Sequence, residues 1–192
     1  MLTLALPLGS TFGWGICGKN LARELARLSP VRLVTSPFEA GDIGDELEYL
    51  ELRRIHVARD AARLPASGGP VFQAITGAEL LPFAREIRGT RNVGYAFIEH
   101  SMLPSSSLDN ARAHFDVVVA GSNWCREVLS SHGLEQTDVV VQGVDPTIFN
   151  MVENQKSFLE DQFVVFSGGK FEFRKGQDIV MRAFRVLQER HA

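Results

Sequence analysis

The sequence predicts a doubly wound, Rossmann-like α/β fold. Short apolar runs bounded by turn residues recur along the chain, each too short for a helix. Stretches with helical spacing lie between several of them. Runs such as Phe115-Asp116-Val117-Val118-Val119-Ala120 are apolar on both faces, as a parallel sheet covered by helices on two sides requires.

The strands are expected at residues 2–8, 31–35, 71–75, 93–98, 115–120, 139–142 and 163–167. Residues 16–28 read as a helix with Leu21, Leu25 and Leu28 on one stripe, and 123–132 as a second with Trp124, Val128 and Leu129. Residues 37–60 carry Glu39, Asp42, Asp45, Glu46, Glu48 and Glu51, acid at nearly every turn, and read as a helical or irregular surface excursion. The apolar periodicity lapses from Gly143 to Asp161, where Pro146, Asn150, Asn154 and Gln155 gather. The expected organisation is therefore a Rossmann-like domain over 1–150, a linker over 151–161, and over 162–192 a single βα unit that cannot build a second domain.

Composition narrows the function. The 192 residues are 45% hydrophobic and carry a formal net charge of −3, which gives no footprint for a nucleic acid or an acidic membrane. Cys17 and Cys125 stand far apart, with no pattern of a disulfide framework or a zinc site, and fit a reducing cytoplasm. The apolar start lacks a basic flank and runs into a glycine loop, so it reads as a buried strand. No apolar stretch reaches the roughly eighteen residues that a membrane span needs.

Gly13-Trp14-Gly15-Ile16-Cys17-Gly18 spells the dinucleotide fingerprint G-x-G-x-x-G between a strand and a helix, which alone suggests an NAD-dependent oxidoreductase. Two features weigh against that. The loop ahead of Gly13 is long, and the second strand ends at Thr35-Ser36-Pro37 without a ribose-binding acid. Backbone N–H groups at a helix start favour any phosphate or polar sugar, so Gly13 and Gly15 are candidate ligand contacts. The plainer alternative is that they supply positive backbone dihedrals while Gly18 permits close helix packing.

Val141-Gln142-Gly143-Val144-Asp145-Pro146-Thr147-Ile148-Phe149 resembles the hinge segment of the family-4 retaining glycosyltransferases of the GT-B fold. Phe163-Val164-Val165-Phe166-Ser167-Gly168-Gly169-Lys170, then Arg174-Lys175-Gly176-Gln177-Asp178 and Ala183-Phe184, resembles the strand and lysine-glycine loop that open that family's nucleotide-binding domain. Val117 to Ser122 followed by Asn123-Trp124, and the first glycine loop, match in order.

The resemblance implies two Rossmann-like domains facing across a cleft, a nucleotide-sugar donor and an acceptor of unknown class, with no cofactor or metal required. Lys175 matches the lysine that holds the donor diphosphate, and Lys170 stands where the family usually has an arginine. An ammonium lacks the bidentate fork of a guanidinium, which weakens donor orientation. His100, in Glu99-His100-Ser101 after a strand, matches a histidine near the donor sugar and is the candidate catalytic residue, by hydrogen bonding and positioning. Glu99 and Ser122 are further acceptor-side candidates, though N-capping accounts for Ser122 and backbone satisfaction for Glu99 and His100. For Lys170, Arg174 and Lys175 the plainer reading is a solvated basic loop ahead of a helix.

The family's acidic donor-site pair would fall past Ala192. The expectation is a glycosyltransferase fragment that alone neither binds a nucleotide sugar tightly nor transfers the sugar. A non-catalytic binding or regulatory module is the alternative. Val164, Phe166, Val180, Phe184 and Leu187 should be exposed unless 162–192 docks on its own first domain, a further segment or a second copy.

Overall fold

In the computed structural model the described residues are 1–58, 68–150, 159 and 161–191. The chain divides into two compact units, Met1–Gly143 and Val144–Ala192.

The first unit is α/β. Strands β1 (Leu2–Ala5), β2 (Val31–Val34), β3 (Val71–Thr76), β5 (Asn92–Ala96), β6 (Val117–Ala120) and β7 (Thr137–Val139) pair in parallel in the order β2-β1-β3-β5-β6-β7. The two-residue β4 (Leu81–Pro82) adds to β3 in antiparallel sense. His56 bridges Leu33 in parallel, with Val57 N–H donating to Leu33 O at 2.9 Å, a rudimentary strand outside β2. The chain thus steps outward from β1 to β2 to His56, then returns to the opposite side of β1 as β3. The strand order reverses between β1 and β3, where open α/β sheets form their ligand crevice.

Helices α1 (Gly13–Leu28), α2 (Ala40–Ile43), α3 (Glu46–Ile55), α4 (Ser105–His114) and α5 (Asn123–Ser131) flank the sheet. Alternation along the strands assigns the faces. Leu4, Leu6, Leu33 and Ala74 point toward Ala22, Leu21 and Leu25 of α1 and Leu52 and Tyr49 of α3. Ala5, Val34 and Val71 point the other way, toward Ala84 and Ile87. On that second face Ala96, Val118 and Ala120 pack with Leu108 and Ala111 of α4 and Cys125, Val128 and Leu129 of α5. Within the acidic 37–60 stretch, of which 59 and 60 lie outside the described residues, come α2, whose end is turned by Gly44 in the left-handed region (φ 81°), and α3, capped by the Asp45 side chain accepting from Glu48 N–H.

Several strands are shorter than their apolar runs: β1 stops at Ala5 and β5 at Ala96, because pairing ends where the chain turns into the loops at the carboxyl edge. α4 carries few apolar residues and is not anticipated by periodicity.

In the second unit a 3-10 turn (Phe173–Lys175) leads through Gly176, in the left-handed region at φ 68°, into α6 (Gln177–His191). The expected strand at 163–167 is corrected: these residues have no regular structure. A strand needs a neighbour for its N–H and C=O groups, and the described residues of this unit contain none. Phe166 is 89% exposed, and Val164 and Leu187 are exposed too, while Val180 and Phe184 are half-buried. Among the described residues no helix is long and apolar enough to cross a membrane.

Candidate functional site

Because the strands are parallel, the loops that follow them share one edge of the sheet. Gly13 and Gly15 follow β1, Glu99 and His100 follow β5, and Ser122 follows β6, so the topology gathers all five at the carboxyl edge of the first unit. Glu99 and His100 are exposed.

The glycine loop is held in shape by its neighbours. Ser10 N–H donates to Asp42 O at 2.9 Å, and the Ser10 hydroxyl donates to Ile43 O, so α2 braces the turn. α1 then begins at Gly13 with Phe12 as its cap residue and no side chain capping its first N–H groups. The three glycines differ. A β-carbon on Gly18 would stand 2.0 Å from Pro7 O, so Gly18 exists for close helix-to-loop packing. One on Gly15 would meet Gly9 N and the Phe12 ring at 2.7 Å. One on Gly13 would meet nothing within 4 Å. None of the three has a positive φ, which corrects the reading of Gly13 and Gly15 as positive-dihedral turn residues.

Trp14, on the first turn of α1, packs edge-on against Phe97 with ring centroids 4.8 Å apart and against Tyr95 at 6.1 Å. Gly121 leaves room for the Phe97 ring, which a β-carbon there would meet at 2.1 Å. The Tyr95 hydroxyl donates to Val140 O at 2.8 Å. Burial, reinforced by the nearby Cys17 and Cys125 sulfurs, pushes the phenol pKa up to about 12. Burial also raises the Cys17 thiol, against an opposing hydrogen bond with Gln142. This aromatic floor was not anticipated; the alternation of Tyr95 and Phe97 along one strand face is the signal that could have found it. The Ser122 hydroxyl accepts from Cys125 N–H at 3.1 Å and caps α5.

In the second unit Lys170 and Lys175 both border Gly169, whose φ is 117°. The Lys175 stem lies 3.9 Å from where a Gly169 β-carbon would be. Gln177, the first residue of α6 and only 7% exposed, donates from Nε2 to Lys170 O at 2.9 Å and ties the glycine-lysine loop to the helix start. A buried glutamine right after a glycine, at a helix start, is the signal that periodicity passes over. Arg174 donates from Nε to Glu172 at 2.7 Å. Both lysine side chains are exposed, so the loop presents two ammonium groups near a helix N-terminus, an arrangement suited to an anion.

Among the described residues no cluster of three His, Cys, Asp or Glu side chains could hold a metal ion. No family model, no curated protein and no solved structure matches the chain.

Proposed function

We propose that this chain is the acceptor-side domain, with the opening of the donor-side domain, of a retaining GT-B glycosyltransferase. The observation that carries the reading is local to the second unit: Lys170 and Lys175 border one glycine loop that Gln177 fastens to the start of α6. Two cations at a helix start suit a donor diphosphate. When the bond from the sugar anomeric carbon to the diphosphate oxygen breaks, negative charge grows on the leaving group, and fixed cations stabilise it. The acceptor hydroxyl attacks the same face, and its proton passes to the departing phosphate. Within the first unit, His100 stands at the carboxyl end of β5, on the edge of the sheet assigned here to the acceptor side.

A dinucleotide reading of the first glycine loop is disfavoured by Phe12. In that fingerprint the second glycine lets a pyrophosphate approach the backbone. Here the space over Gly15 holds the Phe12 ring and the Gly9 backbone.

Inorganic pyrophosphate titrated into the labelled chain tests the proposal. Saturable shifts of the Gly169, Lys170 and Gln177 amides are expected, weakened by about tenfold or more in the Lys170→Ala, Lys175→Ala double variant. The chain by itself should give no detectable sugar transfer from nucleotide sugars. Absence of those shifts, or NAD shifting the Gly13 and Gly15 amides instead, overturns the reading.

A further inference from the structure

His132 closes α5 at its C-cap and sits between that helix and the segment that carries Glu99 and His100. Its Nδ1 lies 2.9 Å from Val128 O. A carbonyl can only accept, so Nδ1 carries the proton in the neutral ring and Nε2 is left as a bare acceptor. Leu103 N–H donates into Nε2 at 3.3 Å. The Ser131 hydroxyl, which donates to Val128 O at 2.9 Å, stands 3.3 Å from Nδ1 on the same side of the ring. Both ring nitrogens are therefore committed, one as donor and one as acceptor.

We propose that His132 is a pH-operated latch on the 99–103 segment, closed when its imidazole is neutral and open when it is protonated. A proton on Nε2 turns the acceptor into a donor that faces another donor, Leu103 N–H. The bond is lost and replaced by a repulsive contact, while the Nδ1 bond to Val128 O survives. Leu103 is buried in the core between α4 and α5, whereas Met102 beside it is 79% exposed. The Leu103 amide is thus the fixed end of an exposed stretch, and freeing it loosens Glu99, His100, Ser101 and Met102 together.

The charged and titratable groups on the elements meeting here are few. From α4, Arg112 donates to Gly133 O at 2.9 Å and pairs with Asp109 at 3.1 Å, and His114 Nδ1 lies 2.8 Å from Asn110 O. The segment itself brings Glu99 and His100, and α5 brings the buried Cys125 together with Arg126 and Glu127. The latch stands on this geometry alone and holds whether or not the chain acts on sugars.

Hydrogen exchange on the full chain tests it, with the Leu103 amide protection factor followed beside the His132 ring signals as the pH is lowered stepwise. The Val118 amide, bonded to Gln136 O at 2.9 Å in the sheet, is the internal reference for the global fold. Leu103 protection should fall about tenfold with the same midpoint as the His132 ring, while Val118 protection holds. His132→Gln offers an amide oxygen near the Nε2 position and should abolish the pH dependence. His132→Asn keeps only the Nδ1-side group and should leave Leu103 unprotected throughout. Leu103 protection that stays constant while the wild-type ring titrates overturns the latch, a result read without either variant. A decline in His132→Gln that matches the wild type overturns it equally.

Discussion

The Tyr95 hydroxyl, in the fourth parallel strand, donates to the carbonyl of Val140 at 2.8 Å, just past the end of the last. A side chain at the middle of the sheet thereby fixes where the chain leaves its first unit. Tyr95 is 2% exposed beneath Trp14 and Phe97, whereas Val140 is 56% exposed, so the bond joins a rigid floor to a wet strand end.

Tyr95→Phe removes the donor and keeps the ring. The freed Val140 carbonyl can reach water, so the loss should stay near about 1 kcal/mol, the net worth of an ordinary hydrogen bond. Denaturant unfolding should show this as a lower midpoint at unchanged slope. Amide exchange over residues 140–143 should quicken. A variant as stable as the wild type, with unchanged exchange there, would show that the contact fixes nothing.

The same phenol makes the protein alkali-sensitive in a defined window. Its folded pKa is raised to about 12 from the ordinary value near 10, so the native state holds the proton more tightly than the unfolded chain. The stabilisation is complete below about pH 10 and is lost between about pH 10 and about pH 12, at up to about 1.4 kcal/mol per pH unit. Unfolding midpoints measured across that window should fall for the wild type more steeply than for Tyr95→Phe. Parallel curves for the two would refute the assignment.

Cys17 and Cys125 are both buried, and burial raises both thiols above their ordinary range. Cys125 is further engaged, with Sγ 3.6 Å from Ala96 O. The thiolate is the reactive form, so a thiol reagent at neutral pH should modify neither residue at an appreciable rate until denaturant is added. Rapid stoichiometric labelling of the folded chain would contradict the packing described.

The parallel sheet was readable because Val117, Val118 and Val119 are apolar in succession, a pattern that only a strand covered on both sides explains. α4 escaped notice because one of its three buried positions is Ser107, leaving only Leu108 and Ala111 to show a period. The run 163–167 misled for the opposite reason: Val164, Val165 and Phe166 have strand propensity, but pairing depends on a neighbour and not on the run itself. At the site, the glycines of 13–18 were visible as glycines. Which of them is open depends on Pro7 O and the Phe12 ring, contacts that no spacing encodes.

That difference among glycines gives the sharpest contrast for mutagenesis. Gly18→Ala would place a methyl 2.0 Å from the Pro7 carbonyl oxygen, a backbone atom that cannot rotate away. Helix and loop must separate, and the cost should be about 3 kcal/mol or more, the upper range for overpacking. Gly13→Ala meets open space at the first position of α1, where alanine lowers the entropy of the unfolded chain; stability should be unchanged or higher by up to about 1 kcal/mol. Gly15→Ala should fall between, since Phe12 can swing but the Gly9 backbone cannot. Chemical denaturation of the three variants reads the order directly. If Gly13→Ala proved as damaging as Gly18→Ala, the start of α1 would not have the open surface on which any ligand contact at this loop depends.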